Sequence, residues 1–190
     1  PPIGDPVVIK QYLDIGFKSL LVPMVETADQ ARSLVQATRF PPHGVRGVAS
    51  STSRASGFGA DVNYLTTAHE DICLLVQIES RAGLDALEEI ATVEGVDALF
   101  IGPSDLAAAL GHPGHIAHPD VQTAIADALT RIGKAGKPAG IFATSPDNAA
   151  AMARAGACFI SVGTDIGLLA SGARQLLKNV GTVLTDTENT

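Results

Sequence analysis

Two apolar runs, each ending in an acid, organise the chain. Leu74-Leu75-Val76-Gln77-Ile78 runs into Glu79, and Ala98-Leu99-Phe100-Ile101 runs into Gly102-Pro103-Ser104-Asp105. Runs this short and this apolar read as buried strands. Between them, Ala82 to Ala91 carries Leu84, Leu87 and Ile90 at helical spacing. The unit is therefore strand, helix, strand. A right-handed crossover makes the two strands parallel, so Glu79 and Asp105 leave the sheet at the same rim.

The alternation extends in both directions. Asp5 caps a helix with Pro6 at its first position, and Val8, Ile9, Tyr12, Leu13 and Ile15 line one face up to a stop at Gly16. Ser19 to Val22 is a strand ending at Pro23, and Thr27 opens a helix through Ala37 with Ala31, Leu34 and Val35 on one side. FPPHGVRG (40–47) is turn-rich, SSTSRASGFG (50–59) is a polar surface loop with a mobile cover at a catalytic rim as the alternative reading, and Val62 to His69 is a short helix. Beyond the central unit, Asp120 to Lys134 is a helix with Val121, Ile125, Leu129 and Ile132 on one face. It is followed by a strand (Ala139–Ala143), a helix (Pro146–Ala155), a strand (Cys158–Val162) and a last helix (Asp165–Val180). Residues 181–190 read as a polar tail after a single domain, 1–180.

Alternating strands and helices with short connections imply an α/β fold with a parallel sheet covered by helices. No G-x-G-x-x-G follows a strand, so a dinucleotide site is not indicated. A (β/α)8 barrel takes about 250 residues. Five strands therefore fit a TIM barrel with about its first three strands absent from this chain.

Composition narrows the partners. Hydrophobic residues make up 46% of the 190, and the formal net charge is −7. That balance argues against nucleic acid, whose affinity rests on Lys and Arg neutralising phosphates. No apolar run approaches the roughly 20 residues of a membrane span. The opening PPIGDP lacks the charged-then-apolar lead of a signal peptide, and Cys73 and Cys158 sit in or beside apolar runs as reduced thiols. A cytoplasmic location is expected.

Two carboxylates converging at the C-terminal edge of a parallel sheet suit a hard divalent cation, which wants oxygen ligands. The bland readings are a capping or salt-bridged Glu79 and a first-turn Asp105 favoured by the helix dipole. Pro103 near a helix start would leave the backbone N–H groups of Ser104 and Asp105 free to hold an anion. None of Lys10, Lys18, Lys134, Lys137 and Lys178 lies inside a strand, which disfavours a Schiff-base mechanism. His112, His115 and His118 recur every third residue, but the intervening Gly and Pro make this a loop, and zinc is disfavoured. Glu26 and Asp165 read as capping acids. Arg46 and Arg54 read as surface residues, with the distal carboxylate of a diacid as the alternative partner.

Four stretches carry a resemblance. LLVQIES, VEGVDALFIGPSDLAAALG, VPMVETADQA and TRFPPHGVRGV together resemble the HpcH/HpaI family of metal-dependent (class II) pyruvate aldolases, over nearly the whole chain. LDIGF, GPSDLAAALGH, HPDVQ and GKPAGI are most similar to the members acting on 2-dehydro-3-deoxyglucarate. The resemblance implies a barrel of the phosphoenolpyruvate/pyruvate-binding type, assembled as a homohexamer with the last helix exchanged between neighbours. It carries two ligands for Mg²⁺, Mn²⁺ or Co²⁺ onto Glu79 and Asp105, and a substrate contact onto Gln77. It also gives Asp14 a supporting role near the histidine of a neighbouring subunit.

The expected reaction is retro-aldol cleavage of a 4-hydroxy-2-oxo sugar acid to pyruvate and a hydroxy-aldehyde acid such as tartronate semialdehyde. Related substrates are 2-keto-3-deoxyrhamnonate and 4-hydroxy-2-oxoheptanedioate. The family's catalytic histidine lies in a D-G-E-H segment that these 190 residues do not contain, and its pyruvate-contacting arginine precedes a proline matched by Pro1. The competing expectations are an acyl-CoA lyase of the citrate lyase β type, which would want a basic groove, and an inactive fragment.

Overall fold

The computed structural model describes residues 1–143 and 145–188, with side chains described as far as residue 181. Helix α1 (Pro6–Asp14) starts at Asp5, whose Oδ1 accepts from the N–H groups of Val7 (2.8 Å) and Val8 (3.2 Å). Gly16, at φ +108°, turns the chain out of the helix. Strand β1 (Ser19–Val22) follows, then α2 (Ala28–Thr38), whose Thr27 and Gln30 form a reciprocal capping box. Two short 3₁₀ turns, α3 (Tyr64–Thr67) and a third 3₁₀ turn (Ala68–Asp71) lead to β2 (Cys73–Ile78).

The central unit continues with α4 (Arg81–Asp85), α5 (Leu87–Ala91) and β3 (Ala98–Ile101). The single helix expected over 82–91 is broken at Ala86, whose ψ of 8° departs from helical geometry. The break re-aims the second segment so that both Leu87 and Ile90 are fully buried. Then come α6 (Pro103–Ala109), α7 (Pro119–Lys134), β4 (Ala139–Phe142), α8 (Pro146–Arg154), β5 (Ala157–Ser161) and α9 (Asp165–Glu188). Helix α9 runs past Val180, so most of the segment read as a tail is helical.

The five strands form one parallel sheet in the order β1-β2-β3-β4-β5. This is the strand–helix repeat of part of a (β/α)8 barrel. The register aligns Val22 with Val76, Ile78 with Ile101, and Ile101 with Ile141. Strands β2 and β3 therefore stop level with one another, β4 runs one residue further and β1 stops two residues short, and the residues just beyond them share one rim. The helices pack their apolar faces on the outside of the sheet. Ile9, Leu13, Leu34, Leu87, Ile90, Ile125 and Ile132 join Val22, Val76, Ile78, Leu99 and Ile101 in one continuous core. Each such side chain contributes about 1.5–3 kcal/mol by leaving water. Among the described residues no helix is long and apolar enough to cross a membrane.

Candidate active site at the strand rim

Glu79 follows β2 directly and is only 3% exposed. Its Oε1 accepts from the backbone N–H of Met24 (2.8 Å), and its Oε2 accepts from the Gln77 side-chain amide (2.5 Å). Two elements produce this cradle. Pro23 ends β1, and Met24 adopts φ +56°, a left-handed conformation that a long side chain rarely takes. That turn presents the Met24 N–H to Glu79. Gln77 is brought to the same rim by the period-two geometry of β2, since residues 77 and 79 lie on one face.

Gly102 closes the other side. A Cβ built there would stand 2.5 Å from Gln77 Nε2, 2.9 Å from Glu79 Cβ and closer still to Glu79 Oε2. No side chain other than hydrogen fits, so the glycine of the Gly102-Pro103-Ser104-Asp105 step is a requirement of the carboxylate next to it. Asp105, exposed in the first turn of α6, lies near enough for its charge to repel that of Glu79. Burial pushes the Glu79 carboxyl above the usual carboxylate range; the Met24 N–H opposes this, Asp105 adds to it, and the Gln77 amide opposes it. One acid is dry and held, its neighbour wet. Such a pair is short of positive charge, and its hard oxygen donors with an open outer side fit a divalent cation that keeps several waters.

The sequence-derived residues thus divide. Gln77, Glu79 and Asp105 meet, with Ser104 exposed beside them in α6. Asp14 does not join them. It ends α1, just before β1 begins, and so stands at the opposite end of the sheet from the rim where β1 and β2 finish.

There Asp14 meets a residue misjudged from sequence. Arg46 is not a surface side chain: it is 2% exposed and, among the described residues, the largest fully buried one. Its Nη2 donates to Asp14 Oδ1 (2.8 Å) and to the Tyr64 hydroxyl (3.0 Å), and its guanidinium lies 4.4 Å above the Phe40 ring. Lys10 pairs with the other Asp14 oxygen. Arg54 is exposed, as read from sequence. Reading the sequence also missed Met24 and Gly102. The glycine before Pro103 was a visible signal, whereas nothing in the residue type announces the Met24 backbone.

A cavity of about 760 Å³ lies along the outer edge of β1, lined by Ile3, Gly4, Val22, Met24 and Leu34 among others. It shares Met24 with the acid site, but neither Glu79 nor Asp105 lines it. The site is therefore located by its charges and not by its concavity.

The family model described as HpcH/HpaI aldolase/citrate lyase matches residues 1–172. The chain belongs to this family. It is 59% identical over 176 residues to the hydroxypyruvate/pyruvate aldolase of Deinococcus radiodurans, covering 93% of this chain and 64% of that protein. To the pyruvate aldolase of Rhizobium etli it is 52% identical, covering 96% of this chain and 71% of the relative. To the 2-keto-3-deoxy-L-rhamnonate aldolase of Escherichia coli it is 49% identical, covering 93% and 66%. Among solved structures, a family protein from Burkholderia cenocepacia superposes with a TM-score of 0.87 at 44% identity, over 94% of this chain and 70% of that one. The chain thus spans about two thirds of the length of its curated HpcH/HpaI relatives, from 64% to 71% for the three named.

Proposed function

We propose that the protein carrying this chain is a divalent-metal-dependent pyruvate aldolase. It cleaves a 4-hydroxy-2-oxo acid, of the 2-dehydro-3-deoxyglucarate type, to pyruvate and a hydroxy-aldehyde acid such as tartronate semialdehyde. The observation that carries the reading is the desolvated Glu79 carboxyl meeting Asp105 at the strand rim. Relatives named for pyruvate and 2-keto acids support the substrate class.

Glu79 and Asp105 would hold Mg²⁺, or Mn²⁺ or Co²⁺. Bound there, the ion supplies Lewis-acid stabilisation for negative charge developing on the 2-oxo oxygen. Met24 and Gln77 fix the Glu79 carboxylate through its two oxygens, so the ligand does not have to reorganise during the reaction. Gln77, half-buried beside Glu79, would contact the substrate. The N–H groups of Ser104 and Asp105, at the start of α6, have no acceptor inside the helix and suit the substrate carboxylate.

Asp14 acts from a second copy, since within one chain it lies at the far end of the sheet. A homo-oligomer, hexameric with α9 exchanged, suits the exposed Ile166, Leu168, Leu169, Leu176 and Leu177 on that helix. A cytoplasmic setting suits the two free thiols.

The test is pyruvate release from 2-dehydro-3-deoxyglucarate by the whole protein with Mg²⁺, with and without a chelator. Activity that vanishes on chelation, and in Glu79→Ala and Asp105→Ala variants that keep their circular dichroism, supports the reading. No pyruvate from any 4-hydroxy-2-oxo acid removes it.

A further inference from the structure

The segment joining α6 to α7 carries chemistry that the acid pair does not use. It is tightly turned: the His112 N–H donates to Ala107 O (2.8 Å), the His115 N–H to His112 O (3.0 Å) and the His118 N–H to His115 O (2.9 Å). Gly111 and Gly114, at φ +90° and +78°, make the two reversals. The result brings His112 against His118, with ring centroids 3.5 Å apart and planes within 15°. His115, the middle member of the repeat, is left out.

Asp120, in the first turn of α7, completes the cluster. Its Oδ2 lies 3.4 Å from His112 Nε2 and 3.8 Å from His118 Nδ1. One nitrogen from each ring and one carboxylate oxygen fall within 4.8 Å of one another. Ligand atoms sharing a tetrahedral ion at bonds near 2.1 Å stand about 3.4 Å apart. The cluster is therefore close to coordination distance.

We propose that His112, His118 and Asp120 form a second divalent-metal site, chemically distinct from the acid pair and selective for zinc-class ions over Mg²⁺. Two imidazoles and one carboxylate are the donor set that borderline ions prefer, whereas Mg²⁺ prefers oxygen alone. Three protein ligands leave the fourth position to water. An open cavity of about 680 Å³, lined by His115, His118 and Gln122 among others, gives water and the ion access. Binding splays the two stacked rings so that both lone pairs meet at one point. Both rings are partly exposed, so a side-chain rotation suffices. The His118 Nδ1 exchanges its weak contact with the Asp120 N–H (3.3 Å) for the ion, and the Asp120 charge offsets the positive end of the α7 dipole.

The ion acts as a clip. It ties the loop after α6, the helix that carries Asp105, to the first turn of α7. Helix α7 leads into the start of β4, so its own start lies toward the rim where the strands end. The clip therefore braces the Asp105 side of the rim from outside.

The experiment titrates Zn²⁺ calorimetrically into the whole chain with Mg²⁺ saturating, and repeats the titration with Co²⁺ followed by visible absorption. The expected result is one Zn²⁺ per chain that persists in Glu79→Ala, with Co²⁺ giving in that variant, where the acid pair cannot compete for it, the intense bands of a four-coordinate nitrogen–oxygen site. His112→Ala and His118→Asn should each weaken binding at least about tenfold. Asn at 118 keeps a cap for α7, and His112→Ala decides alone if that variant does not fold. Glu79→Ala should bind Zn²⁺ as the parent does. Zn²⁺ binding unchanged in the histidine variants, lost in Glu79→Ala, or absent altogether overturns the proposal.

Discussion

Replacing Gly102 by Ala adds one methyl group at the most crowded point of the rim. The backbone there, at φ −98° and ψ 93°, is open to any residue. On backbone grounds alone, Gly→Ala would stabilise by about 0.4–1 kcal/mol, through the unfolded chain. The neighbours reverse that sign. The new Cβ would lie 2.5 Å from Gln77 Nε2 and 2.9 Å from Glu79 Cβ, with Glu79 Oε2 nearer still. The two head groups can swing away, but Glu79 Cβ is anchored at the end of β2. Moving the carboxylate breaks its bonds to the Met24 N–H and the Gln77 amide. Hydrogen bonds to a charged group contribute about 1.5–3 kcal/mol each. Overpacking adds about 1–3 kcal/mol. Hydration regained by the expelled carboxylate, together with the backbone gain, offsets more than half of this, leaving a net loss of about 2 kcal/mol. For a chain of this size that lowers the melting temperature by about 4–8 °C.

The same variant should lose Mg²⁺ affinity by more than about tenfold, because one of two ligands is displaced. Thermal unfolding with and without Mg²⁺ reads both effects. A Gly102→Ala chain as stable as the parent, with its Mg²⁺-dependent shift intact, would refute the reasoning about the cradle.

Glu79→Gln tests the buried charge. Burial raises the folded-state pKa of Glu79. The folded chain then holds that proton more tightly than the unfolded one, so metal-free stability falls as pH rises from the unfolded value near 4.3 through the folded value. The amide variant has nothing to titrate, and its stability relative to the parent should grow with pH in urea unfolding between about pH 4 and 7.5; a constant difference would contradict this. Arg46→Ala should cost about 3 kcal/mol, since it leaves a void between Phe40 and Tyr64 and strips a partner from Asp14. Arg46→Met should cost less than half of that, because it refills the space and removes the two buried N–H groups, at Nε and Nη1, that have no partner. Equal losses in the two variants would show that packing is not what Arg46 provides.

The rim was legible where chemistry sits in residue type and order. An acid directly after an apolar run marks a strand end, and two such ends joined by a helix share a rim; Glu79 and Asp105 were found that way. Gln77 follows from the alternation in β2. Arg46 was not legible, because its partners Asp14 and Tyr64 lie 32 and 18 residues away and only the folded chain assembles them. Met24 was invisible for another reason: its contribution is a backbone N–H set by a positive φ, and a methionine does not advertise one. The histidine repeat drew attention to three rings at equal spacing. Tight turns at Gly111 and Gly114 then selected the outer two and substituted Asp120 for the third. The spacing over 82–91 specifies helix, but the interruption at Ala86 is set by packing of Leu87 and Ile90, not by alanine.

The most direct measurement of the central claim is calorimetric titration of Mg²⁺ into the parent chain, Glu79→Ala and Asp105→Ala, each with intact circular dichroism. The account predicts one Mg²⁺ per parent chain and none detectable in either variant. Mg²⁺ binding of undiminished affinity in both variants would contradict it.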